Sequence, residues 1–263
     1  MIMDVVCPVI KQDLARFEIL VASLRKFWKV EGRIVAAVPR IEMPLFQHLN
    51  VEVLAQEDVI GVTPYERGVN GWYLQQMVKL GIADVLRSEA YMVIDADCFV
   101  AKELRTADIV RDGYLVRSEP KEDATRRPYF TGSWDALDLV TQETVPWSGR
   151  PPFFVWRDTV QWALRRLEER GMHWAEVLAR SPRWADVCIY QAAAIEKGSP
   201  HICVPYFAHD PIRWPWVDIR ADFNQWDVSE TFSGAHMFGV VHSKTGIPAE
   251  QVALKLQDWI QVK

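Results

Sequence analysis

The sequence predicts a single α/β domain over residues 1–263, built on a mostly parallel central sheet flanked by helices. Three observations lead there. Strand and helix patterns alternate from the N-terminus to about residue 100. The strand candidates are unbroken apolar runs, as expected where both faces of a sheet are covered. The length, 263 residues, suffices for one large core but not for two.

Met3 to Val9 is apolar except for Asp4 and reads as the first buried strand. Beyond Asp13, the residues Leu14, Phe17, Leu20, Leu24 and Phe27 recur at spacings of three and four, which places them on one face of a helix. Arg33 to Val38 is a second strand, stopped by Pro39, and Val51 to Leu54 is a third. Residues 55–71 are polar and rich in turn formers, and they read as a long loop of the kind that serves function. A helical pattern follows from Trp72 to about Leu86, then the apolar strand Tyr91 to Ile94, broken by Asp95-Ala96-Asp97 before Cys98-Phe99-Val100 resumes. Residues 121–152 carry charge, proline and glycine without a period, and they read as an extended connection. Asp158 to Arg170 reads as a surface helix with Gly171 near its C-terminal cap. Ser181-Pro182 signals the start of a helix that runs through Asp186 to Lys197. The tail holds a strand, Ala235 to Val241, a polar turn from His242 to Pro248, and a last helix.

The net charge of -5 gives no general attraction to phosphate backbones, so nucleic acid is not an expected partner. No apolar run reaches the length of about 18 residues needed to cross a membrane, and no signal peptide is evident. A cytoplasmic location follows as an expectation, with peripheral membrane association left open. Cys7, Cys98, Cys188 and Cys203 form no C-x-x-C pair and read as reduced core cysteines. Twelve tryptophans are many for this length. Trp134, Trp147, Trp214, Trp216 and Trp226 stand in polar, proline-rich surroundings. Such rings serve either to stack on sugar faces or to anchor loops.

Eighteen aspartates in 263 residues give about one D-x-D triplet by chance, so Asp95 and Asp97 gain meaning only from their position. Two carboxylates at the C-terminal end of a buried parallel strand lie where open α/β sheets bind ligands, and they repel unless a cation sits between them. Mn²⁺ or Mg²⁺ bridging to a diphosphate suits them; a solvated turn is the alternative. His242 and Lys244 follow the late strand, where an imidazole can complete a metal's shell and an ammonium can meet phosphate charge. Gln75 and Lys79 share a helix face, either in a site or as a solvated stripe. Asp186 is either an acid interacting with a helix N-terminus or a base for an incoming hydroxyl.

Taken together, the helix GWYLQQMVKL, the strand YMVIDADCFV and the late HSKTGIP resemble bacterial GT-A glycosyltransferases, whose fold is Rossmann-like. The resemblance implies transfer of a sugar from a nucleoside diphosphate sugar to a hydroxyl of a glycan or glycoconjugate, with a divalent metal. It implies metal ligation by Asp95, Asp97 and His242. It places Pro8, Trp72, Gln75, Lys79, Asp95 and Lys244 on the donor side and Asp186 at the acceptor as base. The chain departs from the H-x-x-G-x-x-K pattern of retaining members, since Gly246 stands four residues after His242, and the stereochemical outcome stays open. A haloacid-dehalogenase-like phosphohydrolase also uses D-x-D after an apolar strand, but near its N-terminus and with a later acidic pair. A non-catalytic carbohydrate-binding protein on a transferase scaffold is the third reading, supported by the tryptophans.

Overall fold

The structure is a computed structural model that describes residues 1–61, 68–115, 127–140, 152–197, 216–217, 220–233 and 236–261. In chain order the elements are β1 (Met3–Pro8), α1 (Leu14–Phe27), β2 (Ile34–Val38), β3 (Glu52–Ala55), α2 (Gln56–Ile60), α3 (Gly71–Gly81), β4 (Ala90–Val93), β5 (Cys98–Val100), α4 (Thr106–Ile109), β6 (Val110–Arg111), β7 (Tyr114–Leu115) and α5 (Arg127–Ala136). There follow β8 (Phe153–Trp156), α6 (Arg157–Glu168), α7 (Trp174–Arg180), α8 (Asp186–Glu196), β9 (Trp216–Val217), α9 (Arg220–Gln225), α10 (Val228–Phe232), β10 (Phe238–Val241) and α11 (Ala249–Leu256).

The main sheet has the order β3-β2-β1-β4-β8. The first four strands are parallel and β8 runs antiparallel beside β4. The predicted mostly parallel sheet is therefore present, and the strand that leads into Asp95 is interior. β1, β2 and β3 step outward in one direction while β4 lies on the other side of β1. The order reverses between β1 and β4, and the C-terminal ends of such a pair border the crevice where open α/β sheets bind ligands. Every residue of β1 and β4 is buried, which is why both read as continuous apolar runs.

A smaller sheet, β5-β10-β9, begins directly after the Asp95-Ala96-Asp97 turn. β10 pairs antiparallel with β5 and the Val241 N–H donates to the Asp97 carbonyl at 3.0 Å, so the chain from residue 242 onward leaves from beside the acidic turn. Arg16 of α1 fixes that exit: its buried guanidinium donates to the carbonyls of Val241 and Ile247. At the opposite end of the main sheet, Asp4 is fully satisfied by Arg33 at 2.7 Å and by Ser88 at 3.0 Å. Burial works against its charge, yet the Arg33 contacts and the Ser88 hydroxyl hold its carboxyl below the ordinary range.

Several expectations are corrected. The loop expected over 55–71 contains α2, and only residues 62–67 of it fall outside the described residues. The expected extended connection over 121–152 contains α5, while 121–126 and 141–151 lie outside the described residues. Its aromatic residues Phe130 and Trp134 bury one face of α5, which outweighs the poor helix propensity of Gly132. The strand β8 and the helix α7 escaped the sequence reading. Ser181-Pro182 does not open a helix; α8 begins at Asp186 with Ala185 as its cap. Trp134 is a core residue, and Trp226 is partly buried with its Nε1 donating to Thr231 at 2.8 Å, so both act as anchors. Trp147 and Trp214, and the Trp216 side chain, lie outside the described residues. Cys7, Cys98 and Cys188 are buried and form no disulfide among the described residues, and Cys203 lies outside them. Among the described residues no helix is long and apolar enough to cross a membrane.

α3 reaches the site because it docks closely at its far end. A Cβ on Gly81 would stand 2.7 Å from the Val59 carbonyl oxygen and 2.8 Å from the Trp174 ring. Helix propensity alone would make Gly81→Ala stabilising by up to about 1 kcal/mol, but a clash with fixed backbone costs about 1–3 kcal/mol. The expected result is a lower urea midpoint with an unchanged slope; a raised midpoint would show that the α2–α3–α7 packing is looser than described.

Candidate active site

Four elements converge at the C-terminal ends of β1 and β4. The turn after β4 supplies Asp95 and Asp97; α3 supplies Gln75, Gln76 and Lys79; α8 begins with Asp186; and the segment after β10 supplies His242, Ser243 and Lys244. The N-terminus of α3 is fixed by Asn70, whose side chain accepts from the Tyr73 N–H at 3.0 Å.

Lys79 is the hub. Its Nζ donates to Asp95 Oδ1 at 2.7 Å although the side chain is only 2% exposed. Gln75 Nε2 approaches the same oxygen at 3.4 Å. The neighbouring Gln76 turns the other way and accepts from the Asp186 N–H at 3.1 Å. The two adjacent glutamines thus tie α3 to both acidic positions, and the reading of Gln75 and Lys79 as a solvated stripe does not hold. Burial disfavours the Lys79 ammonium, but the charges of Asp95 and Asp186 overcome this and hold it protonated, above its ordinary pKa.

Asp186 is buried, and its Oδ2 has no hydrogen-bond partner among the described residues. Burial raises its pKa to about 6 against the opposing pull of Lys79 and of the Val187 N–H. Asp97 is also pushed up, by burial and then by Asp95 beside it. Its Oδ2 accepts from the Ser243 N–H at 2.8 Å, which joins positions 146 residues apart. Asp13, before α1, is raised by burial and by the Asp97 charge. The like charges of Asp95 and Asp97 act on Asp13, and that of Asp95 acts on Asp97; carboxylates so placed repel unless a cation lies between them. Burial pushes the thiol of Cys7, under this cluster, far up and keeps it neutral, so it is no nucleophile.

Hard carboxylate oxygens suit Mg²⁺ or Mn²⁺, ions that commonly take one or two protein carboxylates plus substrate phosphates. Asp95 and Asp97 fit that donor set. Among the described residues no group of three or more His, Cys, Asp or Glu side chains is gathered closely enough to hold a metal by itself. The His242 ring lies close enough to Asp97 to oppose part of that rise, and its Nδ1 accepts from the Lys244 N–H at 3.2 Å. Pro8 is buried at the end of β1. Trp72 stands one helical turn before Gln75 and is 43% exposed. Gln76, Asp13, Arg16 and Ser243 belong to the site or its frame but escaped sequence reading. Only the doubled glutamine hinted at one of them.

Comparison with solved structures defines the class of fold, that of the GT-A glycosyltransferases. The mouse xyloside xylosyltransferase 1 in its apo form aligns with a TM-score of 0.51 at 10% identity, covering 94% of this chain and 100% of that one. The WbbM bifunctional glycosyltransferase in its apo form aligns at 0.52 and 12% identity, covering 92% of this chain; the match spans 46% of that larger protein. At these identities the likeness is one of fold. The chain itself belongs to DUF6492, a family of unknown function, whose model matches residues 3–263. No curated protein sequence matches it.

Proposed function

We propose that the protein is a metal-dependent glycosyltransferase that moves a sugar from a nucleoside diphosphate sugar to a hydroxyl of a glycan or glycoconjugate. The observation that carries this reading is the acidic turn Asp95-Ala96-Asp97 at the β1/β4 crevice, bonded through Asp97 to the His242–Lys244 segment. Asp95 and Asp97 would hold Mn²⁺ or Mg²⁺, with His242 beside them. The ion supplies charge to a departing diphosphate. Lys244, exposed at the same edge, adds a positive charge for the phosphates. Lys79 and Gln75 fix the Asp95 carboxylate in one orientation. Asp186, with a pKa of about 6, is suited to accept the proton of the attacking hydroxyl near neutral pH. The phosphohydrolase reading loses support because Asp95 follows the fourth strand, not the first.

Ligands that bind the folded state raise its melting temperature, by about 2.7 kcal/mol of stability at a hundredfold excess over Kd. Nucleoside diphosphate sugars should therefore shift the melting curve in the presence of Mn²⁺ and much less with chelator, and Asp97→Asn should remove most of the shift. A shift that is independent of metal and unchanged in Asp97→Asn would overturn the metal-bridged reading. A metal-dependent shift without nucleotide release on any hydroxyl acceptor would favour the binding protein.

A further inference from the structure

We propose that Trp72 is the stacking platform for a pyranose ring of the acceptor, an assignment that rests on the sugar-transfer reading above. Among the described tryptophans it is the most exposed, at 43%, whereas Trp134, Trp174 and Trp184 are buried and the others half-buried. Its place on α3 gives it a purpose. Trp72, Gln75 and Lys79 occupy positions i, i+3 and i+7, so they lie along one stripe of the helix. Gln75 and Lys79 both reach Asp95, at 3.4 Å and 2.7 Å. The same stripe therefore runs outward from the acidic turn to the Trp72 ring, about 10 Å from Lys79 along the axis at about 1.5 Å per residue. The ring thus stands one turn beyond Gln75, on the outer side of the acidic turn, and we assign it to the sugar that receives the transferred unit in place of the donor-side position that the resemblance implies.

The ring is held in advance. Tyr73 packs against it edge-on with centroids 4.9 Å apart, and Tyr129 of α5 does the same at 5.5 Å, each at 68°. Tyr73 leans in turn on Trp184 at 5.2 Å, and Trp184 is anchored by its Nε1 donating to the Leu178 carbonyl at 2.8 Å. Trp184 lies two residues before Asp186. One aromatic chain thus joins the exposed ring to the element that carries the proposed base. A large flat surface with little freedom left to lose is what the weakly apolar face of a sugar needs, because such a face offers too little area to offset the ordering of a mobile side chain.

Saturation-transfer NMR on methyl glucosides, galactosides and mannosides, in both anomeric forms and without donor, tests the platform directly. Nucleoside diphosphate sugar melting shifts on the same samples test the parent reading separately. At least one glycoside should bind the wild type; Trp72→Ala should weaken it about tenfold or more, and Trp72→Phe by about threefold or less. The donor shift should be the same in all three proteins. Absence of binding by every glycoside, equal binding by Trp72→Ala, or a donor shift lost in parallel would each overturn the platform. Trp72-dependent glycoside binding with no donor shift even in the wild type would uphold the platform and defeat the transferase reading.

Discussion

Asp186→Asn is expected to disable transfer while making the protein more stable above neutral pH. The carboxyl is buried, its Oδ2 has no hydrogen-bond partner among the described residues, and its pKa is raised from 3.8 to about 6. A carboxyl whose folded pKa lies above its unfolded value binds more protons when folded, so stability declines as pH rises from about 4 through about 6 and stays lower beyond. At 1.36 kcal/mol per pKa unit the ionised group costs up to about 3 kcal/mol at pH 8, a figure that already includes its attraction to Lys79. Asn keeps the shape and can still accept from the Val187 N–H, so the gain should appear as a rise of about 2–4 °C in Tm per kcal/mol at pH 8. It should vanish near pH 4. Transfer should fall about 10²-fold or more, and wild-type turnover should decline below about pH 6 as the base becomes protonated. Donor binding should stay intact. Normal turnover in Asp186→Asn would move the acceptor's deprotonation to the leaving diphosphate, and a lower Tm at pH 8 would show that ionised Asp186 holds the fold together through Lys79.

Lys79→Met is expected to have the largest effect on stability of any single change at the site. The ammonium is 2% exposed and is held between Asp95, at 2.7 Å, and the charge of Asp186. Removing one member of a buried ion pair leaves the other charge uncompensated, at a cost of about 3–5 kcal/mol. The charges of Asp95 and Asp186 then lose their shared counter-ion, so the loss should be largest at high pH and smaller below about pH 6, where Asp186 takes up its proton. The double variant with Asp186→Asn should recover part of the loss, because that substitution removes one of the two stranded charges. Chemical denaturation of the four proteins at pH 8 measures the coupling. Strict additivity would show that Lys79 serves Asp95 alone. Donor-induced melting shifts should shrink in Lys79→Met, since Asp95 loses its fixed orientation.

The parts of the fold legible in the sequence are those where local pattern and final environment agree. β1, β2 and β4 are buried on both faces and therefore continuous in hydrophobicity, while α1 carries its apolar residues on one stripe. β8 was hidden because an edge strand of four residues in a proline-rich stretch has no signature until β4 offers its free side. α5 was hidden because its helical state depends on packing Phe130 and Trp134 into the core. Polar partners were less legible still. Arg16 sits on an amphipathic helix where an arginine is ordinarily solvated, and only the return of β10 brings the Val241 and Ile247 carbonyls to it.

The sequence by itself determined the α/β class, the alternation of the first strands and helices, and an acidic pair at the end of a buried strand, because each is written within a few residues of chain. The tertiary structure decided that this strand lies inside the sheet next to the reversal of strand order. It also decided that Asp97 meets Ser243 across 146 residues, and that Lys79 and Asp186 are buried together. Those facts set the charge states of the site. Electrostatic interaction depends on distance and on exclusion of water, and neither is a property of sequence separation.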